Sequence, residues 1–337
     1  MSTHLQNAVK PRVIVIAQFP FDILDGITGG RGVGQQSTWL AQLAMQWEHQ
    51  QDYEIHWCVI GHNQSEARTE IRWNQTFHLL PSPSISVSML LARWPQRVAF
   101  RRLFRKIKPD LIHCWGTESL YSACFHEFRG PSVLSMQGIV TVYFQTGDLK
   151  GWRWKLFSYW ERPAIKRATV VTCESEWGMC QVNKIIPDKT MRKVEYGVHP
   201  SYYDVTWHPD PESPRILFVG SLNRLKGVDI LLELLRSYPE RNWTIVFLGD
   251  GYLADELRAL NDPRVEVLGI LKTSEVQAEM AKAWALVIPS RADTSPNVVK
   301  EARVIGLPVI GSPNGGHAEY INDAHDGYLV ENENPDK

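Results

Sequence analysis

The chain has 337 residues, enough for two α/β domains that each bury a core of their own. Its formal net charge of −1 excludes a general electrostatic attraction to nucleic acid, and its 44% hydrophobic and 22% charged residues are typical of a soluble globular protein. The five cysteines form no CxxC pair, which favours buried thiols in a reducing compartment. The segment MSTHLQNAVKPR lacks the apolar stretch of a signal peptide, and no run approaches the ~18 apolar residues of a membrane span, so we expect a cytoplasmic protein.

Short apolar runs alternate with amphipathic segments over the first half of the chain. RVIVIA is a buried-strand pattern, and HWCVIG, DLIHCW, SVLSMQ and TVVTC predict further strands. The glycine-rich stretch GITGGRGVG follows the first strand, and residues 94–108 and 152–166 are predicted helices. This alternation predicts a parallel sheet with helices on both faces, which we assign to a first domain over residues 1–199.

Two segments of this domain combine basic and aromatic side chains. The residues are Arg93, Arg97, Arg101 and Arg105, at intervals of four, and Trp152 and Trp154, which alternate with cations. Such a pattern is typical of contact with an anionic membrane surface, which would make the protein peripheral on the inner face of the cytoplasmic membrane. Ordinary packing of a surface helix or stacking on sugar rings explains it equally well. The neutral net charge and the lack of a recognition module argue against a nucleic-acid partner.

The alternation breaks at residues 200–214, PSYYDVTWHPDPESP, whose four prolines predict an interdomain linker. A second series of strands follows at RILFVG, TIVFLGDG, VEVLGIL, ALVIPS and PVIGS, and defines a second domain over residues 215–337. Ligands of doubly wound sheets bind at the carboxyl ends of the strands. We therefore expect the functional site in the loops after the strands, in a cleft between the domains.

The loops of the second domain carry cations and glycines in succession. Arg224 and Lys226 lie between a predicted strand and a predicted helix, where they can bind a diphosphate, although a solvated loop is the simpler interpretation of these two alone. Gly249 and Gly251 follow the next strand and permit a close approach of the backbone to a ligand. Apolar residues around Leu271 are candidates for a wall against a nucleobase.

The strongest element is SRADTSPNVVKEARVIGLPV. Ser295 is predicted as the N-cap of a helix and Pro296 as its first residue, so free amides and the positive end of the helix dipole point into the loop zone. Asp293 lies before the cap, and Glu301 lies about 9 Å up the helix. These carboxylates are placed to hold sugar and ribose hydroxyls on either side of a diphosphate.

These residues closely resemble the retaining GT-B glycosyltransferases of glycosyltransferase family 4. The resemblance covers nearly the whole chain and is most specific over residues 215–330. It implies two Rossmann-like, doubly wound parallel-sheet domains that face a central cleft. The family has two glutamates separated by seven residues, and here Asp293 and Glu301 have that spacing. The first then contacts the transferred sugar and the second the ribose. The family's phosphate-binding arginine maps to Ser221, and Arg224 is its candidate replacement beside Lys226.

The resemblance also assigns the remaining site residues. The expected catalytic group is Asp293, Lys226 and Arg224, and the rest of the donor site is Glu301, Ser295, Pro296, Asn297, Val298, Gly220, Ser221, Gly249, Gly251, Leu271, Gly315 and Gly316. The expected acceptor side of the cleft is Gly29, Gly30, His113, Ser175 and Gln137, the last at a position where the family often has histidine. Family members continue with helices beyond DGYLV, which we expect to be lacking here.

The implied reaction is metal-independent and cofactor-free, with retention of anomeric configuration, and the leaving phosphate takes the acceptor proton. The donor is a UDP-sugar, or GDP-mannose as the alternative, and the acceptor is a glycan or lipid-linked sugar in cell-surface polysaccharide or glycolipid synthesis. A sugar-nucleotide epimerase or hydrolase and a non-catalytic nucleotide-sugar-binding module stay open. GITGGRGVG does not give GxGxxG directly after the strand, which argues against an NAD-dependent enzyme.

Overall fold

The protein is described by a computed structural model over residues 10–19, 38–61, 66–147, 149–322 and 324–331. Gly29 and Gly30 lie outside the described residues. The first sheet has the order β3-β4-β2-β1-β5-β6-β7-β8, in which β3 pairs antiparallel with β4 and all other neighbours are parallel. Its strands are β1 Arg12–Ile16, β2 Glu54–Gly61, β3 Arg68–Arg72, β4 Gln75–Pro81, β5 Leu111–Trp115, β6 Ser132–Ser135, β7 Val170–Cys173 and β8 Met191–Lys193.

Helices cover both faces of this sheet. They are α1 Thr38–Gln46, α2 Ile85–Leu90, α3 Trp94–Ile107, α4 Val140–Gln145, α5 Trp152–Arg167 and α6 Glu176–Ile185, with 3-10 segments at Trp47–His49 and Leu120–His126. Alternate residues of β1 supply two separate cores, since Ile14 and Ile16 pack on one face while Val15 and Ala17 pack on the other. A strand that is buried on both sides reads as a continuous apolar run, as RVIVIA does.

The second sheet is entirely parallel in the order β11-β10-β9-β12-β13-β14. Its strands are β9 Arg215–Val219, β10 Thr244–Leu248, β11 Val265–Gly269, β12 Ala285–Ile288, β13 Val309–Gly311 and β14 Gly327–Leu329. Its helices are α7 Val228–Ser237, α8 Ala254–Arg258, α9 Thr273–Lys282 and α10 Asn297–Ile305, with 3-10 segments at Pro200–Asp204 and Gly316–Tyr320. The predicted architecture of two doubly wound parallel-sheet domains is confirmed.

The carboxyl ends of the strands bring three loops together. One follows β9 and leads into α7, one follows β12 and leads into α10, and one follows β7 and leads into α6. The Ser175 hydroxyl, after β7, donates to the Thr294 carbonyl, after β12, at 2.5 Å. The two domains therefore meet at the strand ends where the site was predicted.

The predicted basic stripe is wrong at Arg93. This residue lies before α3 with left-handed backbone (φ 63°), and its side chain is buried. The guanidinium lies 4.3 Å from the centre of the Trp160 ring and donates to the Ser122 hydroxyl at 3.0 Å. Burial lowers the pKa of Arg93 to about 10. Because the helix begins only at Trp94, the Arg93 side chain does not lie on the same helix face as the other arginines of the repeat. It packs between helices instead.

Candidate functional site

Lys226 and Asp293, predicted from separate loops, form an ion pair. The Lys226 ammonium donates to one carboxylate oxygen of Asp293, and the backbone amide of Ser295 donates to the other at 3.3 Å. Gly227 makes this meeting possible, since it has φ 76° and a Cβ there would lie 2.0 Å from the Pro289 carbonyl oxygen. The loop after β9 thus packs directly on the end of β12, and this close contact carries Lys226 to Asp293.

Arg224 is not part of this pair. Its guanidinium binds Asp229 in the first turn of α7 at 3.2 Å and is about half exposed. Arg291 makes two further bonds to Asp229, at 2.7 and 2.9 Å, and donates to the Arg224 carbonyl at 2.6 Å. Ser221, where the family has arginine, is exposed. The described loop therefore presents one cation, Lys226, to the Asp293 carboxylate.

Helix α10 begins one residue later than predicted. Pro296, with extended backbone (φ −70°, ψ 120°), is the N-cap and Asn297 the first helical residue, while Ser295 makes no capping bond. The reason lies in the preceding residue, because Thr294 is held on both sides by the first domain. The chain bends at Thr294 and enters the helix only after Pro296. The first turn, which holds Asn297 and Val298, contains no acidic side chain, so its free amides still favour an anion.

Glu301 lies one turn further along α10 and is partly buried. Its carboxyl lies close to the hydroxyl of Tyr202, a buried residue of the 3-10 segment between the domains. Burial raises the pKa of Glu301 to about 7. The carboxyl that was predicted to bind ribose therefore changes charge near neutral pH. Tyr202 was not predicted, because it lies in the proline-rich segment that was assigned as a linker.

The glycines of the predicted donor loops allow the backbone of one loop to lie against the backbone of another. A Cβ on Gly249 would lie 1.9 Å from the Gly220 carbonyl oxygen, and one on Gly251 would lie 2.3 Å from that of Leu222. A Cβ on Gly316 would lie 1.9 Å from the Thr294 carbonyl oxygen. These glycines were predicted for close approach to a ligand, whereas the structure requires them for close approach of one loop to another.

Two neighbours of these glycines complete the donor side. A Cβ on Gly315 would lie 2.9 Å from the Asp293 carbonyl oxygen, so this glycine also allows the last loop to reach Asp293. Leu271 packs against the core of the second domain between β11 and α9. Both residues lie at strand ends, where the prediction placed them.

The first domain supplies Ser175 and Gln137 to the cleft. Ser175 caps α6 by accepting from the Gly178 amide at 3.0 Å while it donates to Thr294. The Gln137 carbonyl accepts from the Thr294 hydroxyl. Thr294 was not predicted, although it lies between two residues that were. The contact joins the loop of Asp293 to the loop where the family often has its histidine.

His113 lies within the first sheet instead of at its edge. Its Nε2 is 2.7 Å from the Ser135 hydroxyl, and its ring stacks on Trp115 with centres 4.7 Å apart. Burial lowers the pKa of His113 to about 4, so the ring is neutral at physiological pH. The cleft role of His113 stays a prediction, and the structure places the residue two positions before the end of strand β5 at Trp115.

Two family models match the chain in succession. The model described as Glycosyltransferase Family 4 matches residues 36–201, and that described as Glycosyl transferases group 1 matches residues 213–337. A Vi polysaccharide biosynthesis protein of Salmonella typhi is 32% identical over 121 residues, which are 34% of this chain and 20% of that protein. The curated relatives matched first align over 20% to 64% of their own length, so the chain spans less than two thirds of each.

Solved structures share the fold over almost the whole chain. Sucrose-phosphate synthase from Thermosynechococcus elongatus has a TM-score of 0.74 at 16% identity, covering 97% of this chain and 87% of that one. HepE from Anabaena, in complex with UDP and glucose, has a TM-score of 0.66 at 15% identity, covering 96% of this chain and 87% of that one. Similarity at these identities shows a common two-domain architecture.

Proposed function

The chain belongs to glycosyltransferase family 4, with the GT-B fold, and from that premise we propose that it transfers a hexose from a nucleotide sugar to a glycan or lipid-linked acceptor with retention of configuration. The observation that carries the proposal is the pairing of Lys226 with Asp293 beside the start of α10. A cation, a carboxylate and free helix amides then share one strand end, as the departure of a diphosphate from a sugar requires.

The chemistry divides among these groups. The diphosphate of the donor binds the Lys226 ammonium and the amides of α10. These groups stabilise the negative charge that grows as the bond from the anomeric carbon to the phosphate oxygen breaks. Asp293, released from Lys226, accepts from hydroxyls of the sugar, and Glu301 accepts from the ribose. The leaving phosphate oxygen takes the proton of the acceptor hydroxyl, whose oxygen forms the new bond on the same face. The scheme assigns no role to a metal or cofactor.

Donor and acceptor are proposed by class. UDP-sugars are favoured and GDP-mannose is the alternative; HepE, which shares the fold, is a UDP-binding protein. The similarity to a Vi polysaccharide biosynthesis protein supports an acceptor in cell-surface polysaccharide synthesis. A non-catalytic module would bind the donor without breaking it, and an epimerase would change the sugar without releasing the nucleotide.

A thermal-shift panel of UDP-, GDP- and ADP-sugars tests the donor site. One class should raise the melting temperature by roughly 5 °C at a hundredfold excess over Kd. Glu301→Ala should abolish most of this rise because the ribose loses its carboxylate. Glu233→Ala, at an exposed glutamate of α7, is the matched control and should leave it unchanged. No stabilisation by any nucleotide sugar would contradict the proposal.

An assay of slow hydrolysis of the stabilising donor, measured by the release of nucleotide, then distinguishes the proposed transferase from its alternatives. Release of nucleotide and free sugar that is slow alone, and that an acceptor replaces by transfer of the sugar to itself, supports a transferase. Fast release that no acceptor changes indicates a hydrolase. Binding without release indicates the non-catalytic module, and an altered sugar that stays on the nucleotide indicates the epimerase. An acceptor screen with and without EDTA would test the metal-independent scheme.

A membrane-facing role is proposed for the surface formed by α2, the start of α3 and α5, here called the α2–α5 surface. Its exposed apolar side chains are Val87, Leu90, Leu91, Trp94, Trp152 and Tyr159. Met89 of α2 and Phe157 of α5 belong to one small core, so these side chains lie in the same region of the first domain. Arg97, Arg101 and Arg105 follow on α3, which suits anionic headgroups. Within the described residues, no helix has the length and apolar character to cross a membrane.

A further inference from the structure

Glu118, in the loop after β5, is a carboxylate that backbone amides hold at the carboxyl ends of the strands. One of its oxygens accepts from the amide of Thr117 at 2.7 Å, and the other accepts from the amide of Gly138, in the loop after β6. Two glycines leave room for it, since a Cβ on Gly138 would lie 2.7 Å from Oε1 of Glu118 and one on Gly116 would lie closer still to Oε2. The carboxylate therefore has a fixed position between two strand ends.

The neighbouring Glu161, on α5, is a carboxylate whose bonds lie entirely within the protein. It is fully buried and accepts from the Thr117 hydroxyl at 2.6 Å and from the amides of Val140 and Thr141 at 2.9 and 2.8 Å. Glu118 differs, because it is partly exposed and each of its oxygens can accept one bond more. Within the described part of the chain, neither carboxylate pairs with a cation. Burial raises the pKa of Glu118 to about 7, since two amides do not replace all the water that the ionised group loses. Glu118 is thus the carboxylate of this pair that can still bind a ligand.

The loop after β6 connects Glu118 to the second domain. Gly138, whose amide donates to Glu118, follows Gln137 in the chain. The Gln137 carbonyl accepts from the Thr294 hydroxyl, in the loop after β12. The Gln137 side chain lies near Glu118, since its Cγ is 3.6 Å from the position of a Cβ on Gly116, which Oε2 of Glu118 also approaches. Its amide nitrogen is buried and has no hydrogen-bond partner among the residues that the structure describes. A donor without an acceptor and an acceptor with spare capacity thus flank Gly116 on the first-domain side of the cleft.

A hydroxyl group is complementary to both, because it donates its proton to a carboxylate and accepts from an amide with its oxygen. We propose that Glu118, together with Gln137, binds a hydroxyl of the acceptor sugar that is next to the reacting one. The inference rests on the proposed function. The reacting hydroxyl gives its proton to the leaving phosphate oxygen as its own oxygen bonds to the anomeric carbon, so the hydroxyl that donates to Glu118 is a neighbour that keeps its proton. This part of the acceptor is uncharged, because Glu118 and Glu161 would repel a phosphate.

Donor hydrolysis and nucleotide titration at pH 8, where Glu118 is ionised, test the inference in the full chain. Without a sugar acceptor, two water molecules take the places of the two hydroxyls, and the one at Glu118 orients the one that attacks. Glu118→Gln should therefore lower the kcat for hydrolysis of the donor chosen by the thermal-shift panel about fivefold. It should leave the Kd of the free nucleoside diphosphate within twofold. Glu48→Gln, at a partly exposed glutamate that precedes β2 at the amino ends of the strands, is the control and should change neither value.

Transfer to octyl glycosides of glucose, galactose and mannose gives a second measurement. For any of these that accepts the donor sugar, Glu118→Gln should raise the KM about tenfold, because a neutral amide binds the hydroxyl more weakly than a carboxylate. Gln137→Leu is the second variant. It removes the buried amide but keeps the backbone carbonyl that binds Thr294, and it should lower the same kcat and raise the same KM.

The outcomes separate the two proposals. Wild-type protein that binds no nucleotide sugar, or binds one without releasing nucleotide, overturns the proposed function and this inference with it. Hydrolysis by Glu118→Gln equal to wild type overturns the inference alone, whether or not a glycoside is accepted. If Glu118→Gln does not fold, unchanged hydrolysis by Gln137→Leu overturns it instead. A loss of diphosphate affinity as large as the loss of kcat would mean a structural role and would also overturn the inference.

Discussion

At the scale of single residues, the surroundings of Glu301 decide its chemistry. The carboxyl is partly buried beside the Tyr202 hydroxyl, and burial raises its pKa to about 7. An ionised carboxylate accepts from two ribose hydroxyls, whereas the protonated acid is the weaker acceptor. Under the proposed function, the charge of Glu301 therefore controls the strength of nucleotide binding over the range in which cells hold their pH.

We predict that nucleotide-sugar affinity rises with pH between 6 and 8, by about fivefold to tenfold, as Glu301 loses its proton. Glu301→Gln should bind weakly and show a flatter profile. Glu118, whose pKa burial also raises to about 7, is retained in both proteins, so their difference isolates Glu301. Calorimetric titration at several pH values measures the effect, and a wild-type profile as flat as that of the Gln variant would refute it.

The same group acts on stability in the opposite direction. A raised folded-state pKa means that the folded protein holds a proton that the unfolded chain has released, from the ordinary pKa of glutamate up to about 7. The stabilisation from neutral Glu301 is therefore present at low pH and lost as pH rises through 7. Deprotonation of Glu301 therefore strengthens nucleotide binding and lowers the stability of the fold, which is typical of a functional carboxyl in a partly buried site.

Spacing was sufficient to predict which residues lie together at the strand ends in some cases and insufficient in others. Asp293, Glu301 and Lys226 follow from their places after strands and at a helix start, which are local features of the sequence. Arg224 was expected at the same site but binds Asp229, because a flexible guanidinium takes the carboxylate nearest to it. Thr294 was not predicted, since its bonds to Ser175 and Gln137 join segments more than 100 residues apart in the chain.

At the scale of elements, helix periodicity predicted which segments are helical better than which side chains they expose. Residues 94–108 were predicted as a helix and form α3, Trp94–Ile107. Arg97 and Arg101, however, both bind Glu127, at 2.6 and 2.7 Å, and are only partly free to meet an anion. Val87 and Leu90 of α2, by contrast, were not singled out and are 44% and 78% exposed. The membrane interpretation now depends on the α2–α5 surface more than on the arginine repeat.

We predict that the protein binds vesicles that contain anionic lipid and binds neutral vesicles much more weakly. Leu90→Asp should reduce this binding about tenfold or more, because an exposed leucine would no longer enter the apolar boundary of the bilayer. Ile71→Asp is the matched control, since Ile71 on β3 is 73% exposed and Leu90 is 78% exposed. Vesicle co-sedimentation measures both variants. Equal loss in the two, or no preference for anionic lipid, would contradict the prediction.

At the scale of the whole molecule, charged contacts hold the two domains closed. Lys300 on α10 donates to Glu174, after β7, at 2.5 Å, and both side chains are more than 90% buried. A second contact lies nearer the surface, where Glu319 accepts from the amides of Glu176 and Trp177 and from Lys193, at 3.1, 2.9 and 3.0 Å. The alternation of strands and helices predicted both domains, but this closure depends on pairs more than 120 residues apart.

The buried and the exposed contact should differ strongly in energy. Lys300→Met leaves Glu174 buried without its cation, and removing one partner of a buried pair costs about 3–5 kcal/mol. Lys193→Met removes a partly exposed ammonium and should cost at most about 1 kcal/mol. Urea unfolding measures both values. The double variant Glu174→Leu with Lys300→Met should recover most of the loss, because no unpaired charge remains.

The contact that closes the domains should also fix the geometry of the proposed donor site, because Lys300 and Glu301 are consecutive on α10. Successive residues of a helix point about 100° apart, so the bond from Lys300 to Glu174 fixes the rotation of α10 and with it the direction of Glu301. We therefore predict that Lys300→Met weakens nucleotide-sugar binding about tenfold, although Lys300 itself is engaged with Glu174 and not with the ligand. The double variant should regain stability without regaining affinity, since it removes the unpaired charge but not the misplacement of α10. Affinity that returns together with stability would show instead that the bond acts on folding alone.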